Sequence, residues 1–321
     1  MAWLWYVLSG IAALLVLGTF VGGYIGFVLS LTRREKEAKE LQAPDPMTAQ
    51  REAMRAAGKQ WLFSHDPQEV EMTSRDGLTL RGYYLPAAKP SRQLAVLVHG
   101  YHGNGPDEFA AMLPFYHEEM NYHILLPDHR SHGRSDGKYI GFAALEWQDI
   151  LDWAELFVRR LGGDTEVALH GVSMGGATVM NCNALGSPDY VKCVVEDCGY
   201  TNGYEMITLS AKRDLGLHFP PLFWALGLFF RMFQHRSLKK DADPYGQIGN
   251  FKRPTLFVHG AEDTFVPTEM GLRCHAAAAV PKDLLLVEGA GHAMAYCVGK
   301  EQYDAKLRAF LNRWMGERAA V

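Results

Sequence analysis

The chain has 321 residues, 48% of them hydrophobic and 21% charged, and its formal net charge is −4 at pH 7. This composition is typical of a folded globular protein, and the length allows one large α/β domain with an appendage. The slight negative charge, without a basic patch interleaved with aromatic residues, argues against nucleic-acid binding, and five scattered cysteines argue against a disulfide framework.

The N-terminal segment, residues 3–31, contains no charged residue and exceeds the roughly 20 apolar residues that cross a bilayer. Trp3, Trp5 and Tyr6 lie at one end, where aromatic residues favour the membrane interface. A secretory signal peptide is the competing interpretation, but the apolar run is long, lacks a preceding basic region and is not followed by an A-x-A-like site. We therefore predict a transmembrane anchor over residues 1–32.

Only the amino group precedes this anchor, whereas four basic residues follow it at once: Arg33, Arg34, Lys36 and Lys39. The positive-inside rule therefore predicts a single-pass membrane protein whose C-terminal side lies in the cytoplasm. The unpaired cysteines agree with that side of the membrane.

Glycine recurs at every fourth residue along one face of the predicted anchor: Gly18, Gly22 and Gly26. Small residues with this spacing let membrane helices approach each other closely. The series fits a homodimer through this face, but also an unpaired helix, because glycine is common in transmembrane helices.

Residues 33–68 are predicted to form a linker or stalk, with a globular domain over residues 69–321. Strand-like segments 69–74 and 78–85 flank an Asp-Gly turn, which is typical of a hairpin. Continuous apolar runs then alternate with helical stretches, which predicts a mostly parallel sheet with helices on both faces. The runs are 94–98, 123–126, 166–169, 192–196, 255–258 and 284–287, and the helices are 106–120, 144–161, 175–185, 268–279 and 300–314. Residues 199–250 break this rhythm as an insertion without a strand.

A G-x-S-x-G pattern, Gly171 to Gly175 with Ser173 at its centre, lies between the apolar run 166–169 and a helical stretch. A strand that reverses into a helix within a few residues holds the serine at a strained backbone angle with Oγ exposed. Glycines on both sides leave room for the turn to close. This context favours a nucleophilic Ser173 over an ordinary glycine-rich turn.

A serine nucleophile needs a base that accepts its proton and a third group that orients the base. Asp263 follows the predicted strand 255–258, within the sequence His-Gly-Ala-Glu-Asp-Thr-Phe-Val-Pro. His292 follows the predicted strand 284–287, within the sequence Gly-Ala-Gly-His. Both are therefore candidates for the partners of Ser173.

The order Ser173, Asp263, His292, each after a strand, resembles that of the α/β-hydrolase superfamily. Residues 99–101, His-Gly-Tyr, resemble the oxyanion loop of that family, and residues 128–135 resemble its D-x-R-x-H-G-x-S loop. The resemblance covers about residues 69–314. It is closest to the serine esterase, lipase and aminopeptidase-like branch, including its N-terminally anchored bacterial members.

The resemblance implies an α/β-hydrolase fold in which the insertion forms a helical lid and one transmembrane helix precedes the domain. It implies Ser173 as the nucleophile, His292 as the general base and Asp263 as the group that orients the imidazole. It also implies an oxyanion hole made by the backbone N–H groups of Tyr101 and Met174, with no cofactor and no metal.

Two other carboxylates are alternatives to Asp263. Glu262 is its neighbour, and Asp197 ends the strand before the insertion, where some hydrolases carry their acid. The spacing to Val266 and Pro267 favours Asp263. Three further histidines are expected to be structural: His99, His170 and His259.

Asp128, His129 and His132 share one loop, and His99 and His102 are candidates to lie near it. Their spacing is compatible with a metal site. Hydrogen bonds that brace the loop are the alternative, which the family resemblance favours.

The centre of the insertion, residues 215–233, is apolar nearly all round from Leu222 onward, and Pro220 and Pro221 are placed to start a helix. The helix is too short for a second membrane span. It is either an ordinary packed helix or a lid that lines an acyl pocket over Ser173 and touches the bilayer. Basic residues at its end would assist that contact: Arg236, Lys239 and Lys240.

We therefore predict a membrane-anchored serine hydrolase that cleaves a carboxylic ester with an apolar acyl group, from a small molecule or a lipid. A peptidase or amidase of the same fold is the alternative among enzymes, although the chain lacks the extra domain of oligopeptidases. A non-catalytic binding module is the alternative outside enzymes, and such a module has no need for an intact serine, acid, histidine and elbow.

Overall fold

The structure, a computed structural model, describes residues 2–33 and 46–316. Two helices precede the sheet, α1 (Ala2–Leu31) and α2 (Pro46–Ser64). Among the described residues, α1 is the helix that is long and apolar enough to cross a membrane. Three of the basic residues used to predict orientation lie outside the described residues: Arg34, Lys36 and Lys39.

The core is an eight-stranded sheet in the order β1-β2-β4-β3-β5-β6-β7-β8. The strands are β1 (Gln68–Thr73), β2 (Thr79–Leu85), β3 (Gln93–Val98), β4 (His123–Pro127), β5 (Glu166–Val172), β6 (Val191–Asp197), β7 (Thr255–Gly260) and β8 (Lys282–Val287). Strand β2 pairs antiparallel with β1 and β4, and all other pairs are parallel. The predicted hairpin and the mostly parallel sheet are confirmed.

Helices cover both faces of this sheet. They are α3 (Gly105–Phe109), α4 (Glu146–Leu161), α5 (Met174–Leu185), α6 (Gly203–Leu215), α7 (Pro220–Gln234), α8 (Pro244–Gln247), α9 (Thr268–Ala277), α10 (Ala295–Val298) and α11 (Lys300–Trp314). Successive residues of a strand enter opposite cores: Val194 belongs to the apolar cluster that includes Trp153 of α4, and Val195 belongs to the cluster that includes Phe310 of α11. The strands are apolar without alternation because both of their faces are buried.

The single helix predicted over residues 106–120 is interrupted. Helix α3 gives way to a 3-10 turn (Ala110–Met112) and then to a π-helical turn (Phe115–Glu119). Pro114 lies between these two turns and has no N–H to donate, so a regular α-helix cannot continue through it.

The segment predicted to be a stalk packs on the domain over its described part. In α2, Leu62 is fully buried, Lys59 pairs with Asp107 at 2.6 Å, and the Trp61 indole donates to the Glu118 carboxylate at 2.7 Å. The stalk interpretation is therefore wrong for residues 46–64, because one face of this helix packs on α3 and on the 3-10 turn that follows it and joins the core there.

The insertion forms two main helices, joined at a sharp turn. The Asn202 side chain caps α6 by accepting from the Tyr204 and Glu205 amides, and Gly216 ends the helix with φ +63°. Helix α7 begins at Pro220, as predicted, because proline at the first helical position loses no hydrogen bond.

The glycine face of α1 is covered by α7 of the same chain. A Cβ atom on Gly22 would lie 2.6 Å from Leu222 Cδ1, and one on Gly26 would lie 3.2 Å from Leu226 Cδ1. A Cβ atom on Gly18 would meet nothing within 4 Å. The prediction of a homodimer through this face is therefore wrong at Gly22 and Gly26, because the chain's own helix occupies it.

Candidate active site

Ser173 lies on the turn between β5 and α5 with φ +57°, a conformation that L-residues rarely adopt. A side chain on Gly171 would overlap the carbonyl of Gly175, and a side chain on Gly175 would overlap the carbonyl of Val98. The Ser173 amide donates to the Asp197 carbonyl at 2.8 Å, which ties the turn to the neighbouring strand. The turn thus holds the serine side chain at the carboxyl edge of the sheet.

The structure brings Ser173, His292 and Asp263 together. His292 Nε2 lies 2.9 Å from Ser173 Oγ, and His292 Nδ1 lies 2.7 Å from Asp263 Oδ2. The three residues follow β5, β7 and β8, whose carboxyl ends share one edge of the sheet. This geometry can pass a proton from the hydroxyl to an imidazole that the carboxylate orients.

Asp263 is buried, and both of its carboxylate oxygens are occupied. Oδ1 accepts the Phe265 and Val266 amides, each at 2.9 Å. Oδ2 faces His292, with His259 Nε2 at 3.4 Å. Burial raises the pKa of Asp263, but hydrogen bonds from His259 and His292 outweigh it and lower that pKa to about 2.

Sequence reasoning treated His259 only as a residue of its strand, yet it lies beside the carboxylate. Burial lowers the pKa of His259, but its hydrogen bonds to Asp263 and Val266, together with the negative charges of Glu196 and Asp263, outweigh this effect and raise the pKa. His259 also contacts the Val266 carbonyl at 3.0 Å, so it braces the loop that carries the acid. Its position four residues before Asp263, at the strand end, was the available signal.

The two alternative carboxylates have other surroundings. Glu262 is exposed. Asp197 is buried, and its Oδ2 accepts the Tyr303 hydroxyl at 2.8 Å, which also lies 3.1 Å from His170 Nε2. Burial raises the pKa of Asp197 to about 6. Of the three candidates, Asp263 is the one whose carboxylate hydrogen bonds to His292.

The two predicted oxyanion donors flank Ser173. Met174 is the first residue of α5, and the first amides of a helix have no partner within it. A Cβ atom on Gly100 would lie 3.2 Å from Ser173 Cβ, so the loop that continues into Tyr101 lies against the serine. Both Tyr101 and Met174 line the same cavity as Ser173.

The Asp128 loop is braced by internal hydrogen bonds. Asp128 accepts the Gly105 and Arg134 amides at 3.3 and 3.0 Å. His99 Nε2 accepts the His129 amide at 3.0 Å, and His129 Nε2 lies 3.1 Å from the His99 carbonyl. These contacts brace the loop, which favours the bracing interpretation, although His129 Nδ1 and His132 Nε2 have no hydrogen-bond partner among the described residues.

Cys198 forms a compact group with the acid and the histidine, since its sulfur and one ligand atom of each lie within 4.8 Å of one another. Burial raises the pKa of the Cys198 thiol well above its usual range. Cys198 is fully buried in the apolar core, whereas Asp263 and His292 are hydrogen bonded to each other. We therefore assign Cys198 to the packing beside the Asp263–His292 pair.

A cavity of about 450 Å³ opens above Ser173. Ligand pockets of this size, with mostly apolar walls and a few polar groups, are typical of small-molecule sites. Its walls come from α6, α7 and, unexpectedly, α1, which contributes Gly26, Leu29 and Ser30. Nothing in the sequence indicated that α1 lines this cavity.

The fold, with a strand–serine–helix elbow at the carboxyl edge of its sheet, defines one class of protein. The chain belongs to the alpha/beta hydrolase family, whose family model matches residues 95–305.

Individual relatives are distant. The uncharacterized protein YqkD of Bacillus subtilis is 24% identical over 236 residues, which cover 74% of this chain and 76% of YqkD. The esterase Pf2001 of Pyrococcus furiosus superposes with a TM-score of 0.62 and 22% identity, over 80% of this chain and 94% of the esterase. Est1E of Butyrivibrio proteoclasticus, solved with ferulic acid, has a TM-score of 0.58 and 21% identity, over 77% of this chain and all of Est1E. These similarities show the fold.

Proposed function

We propose that the protein is a serine hydrolase that cleaves carboxylic esters through an acyl-enzyme on Ser173. The observation that carries the proposal is the continuous hydrogen-bonded line from Ser173 Oγ through His292 to Asp263. The elbow adds support, since it presents the hydroxyl at the floor of a cavity large enough for a substrate. Pf2001 and EaEST, which share the fold, are named as esterases.

The reaction follows from these positions. Ser173 Oγ attacks the ester carbonyl while His292 Nε2 takes the hydroxyl proton, and the Met174 and Tyr101 amides face the oxyanion. The C–O bond to the alcohol breaks as His292 returns the proton to the leaving oxygen, which leaves the acyl group on Ser173. Water, deprotonated by His292, then attacks the acyl carbonyl. The C–O bond to Ser173 Oγ breaks as His292 returns the proton to that oxygen, and the carboxylic acid leaves. Asp263 stays ionised and stabilises the imidazolium.

The cavity supports an apolar acyl group. Leu222, Phe223 and Leu226 of α7 face Met206 and Ile207 of α6 across it. Burial of apolar surface contributes about 25 cal/mol per Å², so each methylene of a chain that enters the cavity stabilises the complex.

The proposal is tested with p-nitrophenyl esters of rising chain length, measured beside aminoacyl-p-nitroanilides. We expect kcat/KM to rise from acetate to medium-chain esters and to be far lower for the anilides. Faster cleavage of the anilides would mean a peptidase or amidase instead, and no turnover of either set would favour a binding module.

The pH profile should rise with pH. His292 must be neutral to accept the Ser173 proton, whereas Asp263, with a pKa of about 2, stays charged throughout the assay range. We expect kcat/KM for p-nitrophenyl acetate to fall on acidification, because a protonated imidazole cannot accept the hydroxyl proton.

Asp197 provides the control for that profile, because its pKa of about 6 lies within the assay range. Asp197→Asn should leave the midpoint in place. Loss of the transition in this variant, or a flat profile between about pH 5 and 9 in the unchanged protein, would rule out His292 as the titrating base.

We further propose that α1 is a permanent single-pass anchor with the catalytic domain on the cytoplasmic side. Its 30 residues carry no charge and most are exposed, which supports membrane insertion, and the following basic residues support the orientation. The full-length protein should stay in the membrane pellet after alkaline carbonate extraction, and its release would contradict the anchor.

The orientation is tested with Ser64→Cys, which places a cysteine at an exposed position. An impermeant maleimide should label this variant only after cell lysis, and labelling of intact cells would reverse the orientation.

A further inference from the structure

The last turns of α1 are fixed to the catalytic domain. The Arg33 amide donates to the Lys138 carbonyl at 2.8 Å, and the Ile140 amide donates to the Leu31 carbonyl at 2.9 Å. The Arg33 guanidinium donates to the Ser135 and Gly133 carbonyls at 2.6 and 2.7 Å. The anchor therefore cannot swing freely, and its orientation sets that of the site.

Helix α7 packs along the C-terminal half of α1 at close range. A Cβ atom on Gly23 would lie 2.5 Å from Ala225 Cβ, which is the kind of small-residue contact that joins membrane helices. Phe20 and Tyr24 of α1 make edge contacts with Trp224 and Phe229 of α7, at centroid distances of 5.8 and 5.2 Å. The two helices therefore form one apolar unit.

Aromatic residues mark two levels on this unit. Trp3, Trp5 and Tyr6 are largely exposed near the start of α1. Tyr24 is exposed near its other end, and exposed Trp224 packs on Phe20, one turn before Tyr24. At about 1.5 Å per residue, Trp5 and Tyr24 are separated by about 28 Å along the helix. This matches a hydrocarbon core of about 30 Å, and tryptophan and tyrosine favour its two interfaces.

The outer face of α7 continues the exposed surface of α1. Three exposed residues of α7 are spaced four residues apart and so share one face of the helix: Trp224, Leu228 and Met232. Since Phe229 of α7 packs on Tyr24, this surface begins at Trp224 within the hydrocarbon core and crosses the membrane interface at Leu228 and Met232.

The cavity above Ser173 opens beside this surface. Leu29 of α1 and Leu215 of α6 line the cavity while being 50% and 76% exposed, so they form its rim. The Tyr101 hydroxyl donates to the Ser30 carbonyl at 2.6 Å, which joins the anchor to the loop beside the nucleophile.

The depth of this rim follows from the same helix. Leu29 lies five residues beyond Tyr24, or about 8 Å along the axis. The headgroup layer occupies about 5 to 8 Å on each side of the hydrocarbon core, and the ester linkages of glycerolipids lie at its inner boundary. The rim therefore lies at the outer side of the headgroup layer, and a lipid ester would move about 8 Å out of the leaflet to reach it.

We propose that α1 is both the anchor and one wall of the acyl-binding site, and that the substrate is a long-chain ester of a membrane lipid. The acyl chain enters from the adjacent leaflet across the rim formed by Leu29 and Leu215, and its carbonyl reaches Ser173. This inference rests on the proposed esterase function and names its substrate class. The products are a free carboxylic acid and the alcohol part of the lipid.

The experiment uses the full-length protein in vesicles of a neutral phosphatidylcholine. Leu29→Trp, which fills the rim, is compared with Leu17→Trp, which makes the same change on an exposed part of α1 away from the cavity. The probes are 4-methylumbelliferyl oleate in the bilayer and 4-methylumbelliferyl acetate in solution. We expect Leu29→Trp to lower kcat/KM for the oleate about tenfold or more and for the acetate less than twofold, while Leu17→Trp changes neither.

Equal losses for both esters, or no loss for either, would show that α1 is no part of the acyl site while leaving ester hydrolysis intact. Absence of acetate hydrolysis in the unchanged protein would instead remove the proposed function itself. The route of entry is tested by placing the oleate either in the enzyme's vesicles or in separate protein-free vesicles. Leaflet entry predicts faster turnover in the shared vesicles, and equal initial rates would mean entry from solution.

Discussion

Ser173→Ala and His292→Ala should each lower kcat for p-nitrophenyl esters by about 10⁵-fold or more, and the double variant should lose little further. The hydroxyl and the imidazole share one proton across 2.9 Å, so removing either leaves the other without a role. Steady-state kinetics on the full-length protein measures all three variants.

Two neighbouring surface residues serve as matched controls, because Ser64→Ala and His65→Ala make the same chemical changes on an exposed helix end. Both should retain activity within about twofold, as surface substitutions have small effects. Losses that multiply in the Ser173/His292 double variant would mean that these two residues act independently.

Asp263→Asn should lower kcat by about 10⁴-fold while the protein stays folded. An asparagine keeps the size of the side chain but removes the charge that stabilises the imidazolium and fixes its tautomer. Both Oδ1 contacts to the Phe265 and Val266 amides can persist, so the loop should hold its shape. Kinetics beside circular dichroism separates the catalytic loss from unfolding.

Asp197→Asn and Glu262→Gln are the matched control variants for Asp263→Asn. Each should lower kcat by less than about tenfold. Asp197 is held by Tyr303, and Glu262 points to solvent, so neither orients His292. If Asp197→Asn proved as damaging as Ser173→Ala, the acid of this site would be Asp197 and the assignment of Asp263 would be wrong.

The sheet and the position of the elbow were predictable because burial on both faces leaves a strong local pattern. Val194 and Val195 enter opposite cores, so β6 is apolar without alternation and stands out in the sequence. The elbow glycines likewise carry a local signal, since any side chain on Gly175 would overlap the Val98 carbonyl.

The candidate site was predictable only as a set of residues at strand ends. Ser173, Asp263 and His292 are far apart in the chain, and the parallel sheet is what brings their strand ends to one edge. The second histidine beside Asp263 was missed, because a side chain at a strand end can face the loop or the core, and periodicity does not distinguish them.

Contacts between helices that are distant in the chain could not be predicted from the sequence. Leu62 gives α2 a buried face, yet the Ala-rich, charged composition around it also fits a solvated stalk. Gly22 and Gly26 suit any close apolar partner, and nothing local says whether that partner is a second copy or α7 of the same chain. The cavity wall formed by α1 follows from that packing alone.

Labelling with a fluorophosphonate, followed by mass spectrometry of the modified peptide, tests the central claim most directly. The reagent phosphonylates a serine only where a base activates it, so the unchanged protein should carry the adduct on Ser173. Ser173→Ala should carry none, and His292→Ala should react far more slowly. An adduct on another residue would contradict this assignment. Full ester hydrolysis by the Ser173→Ala variant would contradict it as well.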